Sequence, residues 1–219
     1  MAIDGLHQVT GAGADVAELL ANTDAVAGQI AFEIMAEGIG MSPSVLIGGL
    51  EGGSKVTLSN GQLARLNPTA CDTVISAVDA GMRIDAPRVA SKMDSALASG
   101  ALIFRRAEAG IRIEGGQARM TSNPALGVPD VELGVSGLVN LLEGVVDWRL
   151  TFSAMPRSGA PMKVWPQIAV SLRGPVTAPR RTIDVAAFSS WLAARAIDEQ
   201  SKKLDVLEGR EPAAPLLGR

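Results

Sequence analysis

Histidine and cysteine, the side chains used most often for acid–base or nucleophilic chemistry, occur once each, as His7 and Cys71. His7 with a carboxylate such as Asp4 would in principle form a general base, and Cys71 would need an activating base to become a nucleophile. A surface histidine and a buried thiol are the simpler interpretations. A histidine-based metal cluster is excluded, and so is a histidine-dependent triad that does not use His7.

Two further patterns of binding or catalysis fail on their spacing. The stretch TGAGADVAELL (10–20) has two glycines, but Val16 stands where the dinucleotide-binding pattern needs the third, and no strand is predicted before it. Asp94 and Glu108 are both carboxylates, but spacing alone gives them no shared site. We therefore expect no enzymatic activity, no bound metal and no cofactor.

The basic residues leave two interpretations open. A cluster of four arginines lies on consecutive predicted hairpins, at Arg105, Arg106, Arg112 and Arg119. The cluster is either a patch for anionic headgroups or a solvated strand face that resists edge pairing. The pair Arg180 and Arg181 is either a headgroup contact or a charged strand edge. A net charge of −3 disfavours nucleic acid as a partner for the chain as a whole.

Period-two alternation of apolar and polar residues predicts several β-strands. The clearest stretch is VVDWRLTFSA (145–154), which places Val146, Trp148, Leu150, Phe152 and Ala154 on one face. Ile168, Val170 and Leu172 alternate in the same way. Shorter cases occur at 30–34, 56–58, 102–104, 111–113 and 131–139. Turn signals at 59–61, 108–110 and 114–116 separate them, and such short connections predict an antiparallel meander.

Helical patterns alternate with these strands in the first half of the chain. Helices are predicted at 14–22, 42–50, 67–81 and 86–100, the last three with a proline near the first position. A final helix is predicted from Asp184, as its cap, to about Leu207, with an apolar side formed by Phe188, Trp191, Ala194, Ile197, Leu204 and Leu207. The stretch after Gly209 is predicted to be a disordered tail.

These elements predict an α+β fold built on an antiparallel β-meander that forms a curved, groove-like sheet. We expect one domain over residues 1–209, with the meander at about 100–183, short helices in the N-terminal half and a C-terminal capping helix at about 184–208; residues 210–219 form the tail. Gly174 and Pro175 are expected to end the last long strand, and Pro179 to interrupt the ladder.

The apolar face of such a sheet has to be covered, because burying each large side chain is worth roughly 1.5–3 kcal/mol. Helices of the same chain are available, which favours ordinary packing. The functional alternative is a groove covered by lipid acyl chains. The residues that would face the lipid are Val146, Trp148, Leu150, Phe152, Ile168, Val170 and Leu172.

The stretch WPQIAVSLRGPVTAPRRTIDVAAFSSWLAARAIDEQSKKLDVLEG (165–209) resembles the C-terminal end of AsmA-like proteins of the Gram-negative envelope. The resemblance rests on a last strand ending Leu-Arg-Gly-Pro-Val, then Ala-Pro-Arg-Arg-Thr-Ile-Asp, then Trp-Leu and a charged helix. GAGADVAELLANTDAVAGQIAFEI, KVTLSNGQLARLNP, ALASGALIFRRAEAGIRIEGGQARM and VELGVSGLVNLLEGVVDWRLTFSA look similar to other parts of the family. The similarity covers about residues 10–208.

This resemblance implies a periplasmic location, with a tether to the inner membrane in the full-length family, and a role in phospholipid transport towards the outer membrane and in envelope integrity. It implies phospholipid acyl chains and an envelope protein at the C-terminal end as partners, and a terminal helix (Phe188, Trp191, Ile197) that caps the sheet edge. No export signal or membrane-spanning helix is recognisable, so the chain is expected to be a fragment. The alternative is a structural cap that docks an envelope protein, in regulation of protein targeting to membranes, without binding lipid.

Overall fold

The computed structural model describes residues 3–15, 26–122, 128, 131–154 and 166–207. Nine antiparallel strands follow one another in a single sheet in the order in which they occur in the chain. They are β1 Ile3–Asp15, β2 Val26–Gly40, β3 Glu51–Ala64, β4 Ala101–Glu114, β5 Gln117–Ser122, β6 Val131–Asn140, β7 Val145–Ala154, β8 Gln167–Pro175 and β9 Arg180–Asp184. The sheet does not close, because β1 and β9 are its two edges. The predicted antiparallel meander is confirmed.

Four helices accompany the sheet in the described part of the chain: α1 Pro43–Gly48, α2 Ala70–Asp79, α3 Ala86–Ala98 and α4 Ala186–Leu207. Ser42 caps α1, and its hydroxyl accepts from the Val45 backbone N–H. Asp85 caps α3 in the same way. Since both caps precede a proline in the first turn, the predicted starts of these two helices are confirmed. The helix predicted at 67–81 begins only at Ala70, because Asn67 accepts from the Thr69 backbone and starts a turn instead.

The meander begins much earlier than the predicted boundary near residue 100, since β1, β2 and β3 belong to the same sheet. The segments 102–104 and 111–113 are parts of one strand, β4, and the predicted turns at 59–61 and 108–110 lie inside β3 and β4. Only the turn at 114–116 is confirmed, with Gly115 and Gly116 at φ 56° and 73°. The helix predicted at 14–22 is wrong at its start, where β1 runs to Asp15; its remainder lies outside the described residues.

The misread turn at 59–61 is a kink in the sheet. Asn60 adopts φ 50°, a left-handed conformation that asparagine tolerates better than most residues. Gly28 lies beside it on β2, where the pairing register shifts, and a Cβ on Gly28 would come 2.9 Å from the Ser59 carbonyl oxygen. Next to this kink on β4, the consecutive residues Arg105 and Arg106 are both exposed. The alternation of buried and exposed side chains along β4 is therefore interrupted by one residue. The kink allows Leu102 and Phe104 to turn towards the helices.

The core lies between one end of the sheet and helices α2, α3 and the start of α4. Its largest fully buried side chains include Phe152, Phe188, Ile75, Met93 and Leu97. The two aromatic rings Phe188 and Trp191 stack at 6.1 Å within this cluster. Both residues were predicted for the capping helix, and both pack against the sheet. Helix α4 contacts β8 and α3, so it lies over the face of the sheet.

The prediction for Ile197 is wrong, since its side chain is 66% exposed. Ala194 and Leu204 are exposed as well, whereas Arg195 is buried. Arg195 donates to both carboxylate oxygens of Asp79 on α2, at 2.6 and 3.1 Å, and lies 2.7 Å from Glu199. The buried stripe of α4 therefore runs through Phe188, Leu192 and Arg195. The sequence pattern failed here because a paired arginine replaces the expected apolar residue.

The strand β9 is joined to α3 by a second ion pair. Arg181 pairs with Asp94, and its guanidinium also reaches the Arg65 carbonyl oxygen at 3.4 Å. Arg181 faces the same side as Leu172, its direct neighbour on β8. Arg181 therefore has a structural role at the strand edge, which is closer to the second interpretation of this arginine pair. Arg180 is exposed.

Candidate functional site

The register aligns apolar residues across seven strands on the face that carries the helices. Directly paired residues of neighbouring strands share a face. A first row therefore contains Ile34, Ser54, Ile111, Met120, Gly137, Trp148 and Leu172. A second row contains Ala36, Gly52, Ile113, Ala118, Val139, Val146 and Gly174. These two rows, with Phe32, Val56 and Ala109 beside them, are called the open rows below.

The open rows are mostly half-buried and lie outside the core cluster. Ile34, Ile111 and Trp148 keep part of their surface exposed, and Val146, at 7% exposed, is the most buried side chain of the set. None of the open-row residues belongs to the cluster packed by α2, α3 and α4. The described core helices α2, α3 and α4 therefore do not pack on the open rows as they do on the buried cluster. This is an apolar surface of unusual continuity for a protein exterior.

The other end of the same face is filled by the protein itself. Phe152 is 0% exposed, Ile168 1% and Val170 4%, and all three belong to the helix-packed core. Their prediction as lipid-facing residues is corrected, because α2, α3 and α4 occupy the space in front of them. Leu150 is half-buried and packs against this core, so it marks the boundary. Trp148, Leu172 and Val146 are the predicted residues that fall on the open rows.

Helix α1 borders the open rows at the opposite end. Its Leu46 packs so closely on β2 that a Cβ on Gly40 would overlap the helix backbone, and one on Gly38 would lie 3.2 Å from the Leu46 carbonyl oxygen. Gly48 of the same helix lies beside Leu142 in the turn between β6 and β7. The open rows thus form the floor of a trough, with α1 at one end and the core helices at the other.

The dimensions of the trough suit an extended apolar chain. From β2 to β8 there are six inter-strand spacings, or about 29 Å at ~4.8 Å each. Along the strands, the residues Phe32, Ile34 and Ala36 span roughly 13 Å. One acyl chain occupies half of a bilayer's ~30 Å hydrocarbon core, or ~15 Å. The floor is therefore long enough for an acyl chain that lies across the strands.

Two buried polar atoms of the first row have no hydrogen-bond partner in the described part of the chain: Ser54 Oγ and Trp148 Nε1. Such groups normally have partners, since leaving one unsatisfied costs roughly 1–3 kcal/mol. Trp148 combines a large apolar ring with this polar N–H, a combination typical of surfaces that meet both apolar and polar groups.

The other chemical candidates do not meet in a site. Burial, with a smaller contribution from Asp72, raises the pKa of Cys71 to about 12, which makes the thiol a poor nucleophile. Asp94 pairs with arginines at 65 and 181, whereas Glu108 pairs with Lys55 and Arg106, so the two carboxylates serve different ion pairs. The backbone of His7 pairs with Ala36 in β1 and β2. Within the described ranges, no group of histidine, cysteine and carboxylate residues is placed to hold a metal ion.

The sequence missed the half of the site that β2–β5 contribute. Ile34, Val56 and Ile111 were recognised as strand residues, but nothing local shows that they continue the face of Trp148. That continuity depends on the registers of seven strands, and single-sequence patterns do not specify pairing between strands far apart in the chain. The apolar residues of β4 were also divided by a turn that does not exist.

Comparison with protein-family models, with curated proteins and with solved structures gave no match for this chain. Among the residues that the structure describes, no helix has the length and apolarity needed to cross a membrane.

Proposed function

We propose that the protein is a non-enzymatic lipid-handling module, in which the open rows bind the acyl chain of a phospholipid. The observation that carries the proposal is the half-buried apolar strip across seven strands on which the described core helices do not pack. Its width, its length and its closure by α1 and the core helices all favour an elongated apolar ligand.

The cellular role in this proposal follows from the resemblance to AsmA-like proteins. The module would lie in the periplasm, as the C-terminal end of a longer protein that carries phospholipids between the inner and outer membranes and supports outer-membrane integrity. In that setting the trough would receive acyl chains from the preceding part of the groove. Genetic depletion of the full-length protein should then sensitise cells to detergents excluded by an intact outer membrane.

The binding step is tested by native mass spectrometry of the purified protein, with lipid extraction from the same sample. Ile111→Asp places a charge on the floor of the trough and should remove copurified phospholipid, because a buried carboxylate repels an acyl chain. Met35→Asp is the matched control, since Met35 lies on the other face of β2 and is 53% exposed. This variant should retain lipid.

Equal lipid content in the two variants would contradict binding on the open rows, as would an absence of lipid from the wild-type protein isolated in mild detergent. Circular dichroism and thermal unfolding of both variants separate lost binding from lost folding. Since Ile111 lies outside the core cluster, we expect Ile111→Asp to fold.

A structural docking module is the second candidate, and one observation favours it. The end of the sheet near α1 exposes several large apolar side chains, called the apolar end: Ile39 at 64%, Met41 at 80%, Val45 at 57% and Leu142 at 50%. An envelope protein partner would cover this surface. Met41→Asp with Val45→Asp should then abolish partner crosslinking without changing lipid content, whereas Ile111→Asp should do the reverse.

A further inference from the structure

We propose that the polar face of the sheet carries a separate binding site for a small zwitterion, a phosphate ester that also bears an ammonium group. The site is a depression of about 710 Å³ on β3, β4 and β5. Arg112 and Arg119 supply the cationic half and Glu51 and Glu114 the anionic half. Its charged side chains project from the face opposite the open rows, and the open-row residues Gly52, Ser54, Ile111 and Ile113 also line it.

The first observation is the arrangement of the two arginines. Arg112 on β4 is paired directly with Arg119 on β5, so two cations face each other across neighbouring strands. Like charges in this position destabilise a sheet. Neither guanidinium has an ion-pair or hydrogen-bond partner among the described residues, and both side chains are exposed.

Several other cations on the same face contact a carboxylate, although Arg173 also pairs directly with Arg180 across β8 and β9. Lys55 contacts Glu108 at 3.2 Å, and Arg173 on β8 donates to Asp147 on β7 at 2.9 Å. Arg112 and Arg119 have no such carboxylate partner among the described residues. Two adjacent guanidinium groups provide several N–H donors, which suits the oxygens of a phosphate group.

The second observation is the floor of the depression. Gly53 and Gly110 are diagonal neighbours on β3 and β4 and lie on the face of the two arginines. A Cβ on Gly110 would meet nothing within 4 Å, and one on Gly53 would make only an ordinary contact of 3.6 Å with the Ile111 carbonyl oxygen. Tight packing therefore does not require glycine at these two positions. Because neither residue has a side chain, the backbone is accessible to a ligand.

The third observation is the row of carboxylates beside the arginines. Glu37 pairs directly with Glu51, and Glu51 and Glu114 each lie one residue beyond Gly52–Ile113, the last pair of β3 and β4. Residues two apart on a strand, such as Arg112 and Glu114, are separated by ~7 Å. Because the two charge types are segregated into adjacent rows, a ligand with one anionic and one cationic group fits better than a simple anion. Phosphoethanolamine, free or as a lipid headgroup, has this chemistry.

The test is a titration followed by NMR at the amides of Gly53 and Gly110. We expect saturable shifts with phosphoethanolamine, and at least fivefold weaker binding of inorganic phosphate and of ethanolamine alone. Arg112→Gln should weaken phosphoethanolamine binding about tenfold or more, since it removes a charge-assisted hydrogen-bond donor. Glu51→Gln should weaken phosphoethanolamine binding while leaving phosphate binding unchanged or improved.

The matched control is Arg105→Gln, which makes the same charge change on the same strand outside the depression. Gly110→Val is a second variant that fills the depression without changing any charge, and it should also abolish binding. The proposal would be overturned if Arg105→Gln and Arg112→Gln weakened phosphoethanolamine binding equally. It would also be overturned if phosphate bound as tightly as phosphoethanolamine, or if no saturable shift appeared.

The source of the ligand is decided by vesicle binding. If phosphatidylethanolamine vesicles bind the wild type and not Arg112→Gln, the site takes a lipid headgroup. If only the free compound binds, the site takes a soluble metabolite; both results support the zwitterion chemistry. The open-row variant Ile34→Asp changes a residue that does not line the depression, so it should bind phosphoethanolamine normally, which keeps this test independent of acyl-chain binding.

Discussion

The indole of Trp148 packs directly over Gly137 on the neighbouring strand. A Cβ at Gly137 would overlap the Trp148 ring and would lie 2.7 Å from the Trp148 Cα, and the glycine itself has φ 152°. The pair lies in the first open row, next to the boundary with the helix-packed core. The same Cβ would also overlap the Asp147 carbonyl oxygen, so the absence of a side chain at 137 accommodates both the β7 backbone and the indole.

Gly137→Ala should lower the free energy of unfolding by about 1–3 kcal/mol, because the methyl group forces both the indole and the backbone to move. The measurement is urea unfolding, followed by circular dichroism. Gly110→Ala is the control, since the added methyl group meets nothing there. That variant should be neutral or slightly stabilising, as expected for a strand glycine with free space. Similar destabilisation in both variants would contradict the close approach of Asp147 and Trp148 on β7 to Gly137.

The ion pair between Arg195 and Asp79 should stabilise the contact between α4 and α2. The Arg195 side chain is 10% exposed, but that of Asp79 is 44% exposed and is hydrated once its partner is removed. We therefore expect Arg195→Met to cost roughly 1–3 kcal/mol, less than the loss of a fully buried pair. Arg173→Met removes an exposed pair and should change the free energy of unfolding by at most about 1 kcal/mol. Equal effects in thermal unfolding would show that Arg195 is an ordinary surface residue.

Asp184 links the end of β9 to α4 and should make stability depend on acid pH. The Ala186 N–H, which donates to its carboxylate at 3.0 Å, is the chief cause of a lowered pKa, and the Arg149 guanidinium adds to it. A carboxylate with a lowered pKa in the folded state contributes stability above its unfolded pKa of about 3.9 and loses it as pH falls through the folded value.

Asp184→Asn keeps an acceptor for the Ala186 N–H but does not titrate. The fall in unfolding free energy between pH 6 and pH 3, measured with urea, should therefore be smaller in Asp184→Asn than in the wild type. Direct NMR titration of the Asp184 carboxyl group gives an independent value. If the two proteins lose stability identically over this range, the lowered pKa of Asp184 does not contribute.

Cys71 should not react with thiol reagents while the protein is folded. It is 1% exposed, and its pKa of about 12 leaves roughly 10⁻⁴ of the thiol ionised at pH 8. Labelling with a chromogenic disulfide should be slow in buffer and rapid in 6 M urea, where unfolding exposes the side chain. Rapid labelling in buffer, at the rate found in urea, would show that the helix carrying Cys71 opens readily.

Local sequence patterns predicted the individual strands of the second half well. The alternation at 145–154, the cap at Ser42 and the start of a helix at residue 86 depend only on neighbouring residues, and the structure confirms them. The extent of the sheet was underestimated, because asparagine and glycine at 59–61 are as typical of a turn as of a kinked strand. The difference depends on Gly28, which lies 32 residues away from Asn60.

The candidate site was predicted only in part, at Val146, Trp148 and Leu172. The alternation on β7 and β8 identified an apolar face but did not show which part the helices cover. Phe152 and Trp148 occupy equivalent positions in the pattern, yet one is buried under helices and the other lies in the trough. That difference follows from where α2–α4 pack, and helix position is a property of the tertiary structure.

The most direct test of acyl-chain binding uses Trp148 as a reporter. Trp191→Phe with Trp165→Phe leaves Trp148 as the single tryptophan, and Trp148→Phe with Trp165→Phe leaves Trp191, which is 7% exposed in the core. Phospholipid with brominated acyl chains, exchanged into each protein, should quench the fluorescence of Trp148 and leave that of Trp191 nearly unchanged. Absence of quenching at Trp148, or equal quenching of both tryptophans, would contradict a lipid chain lying on the open rows.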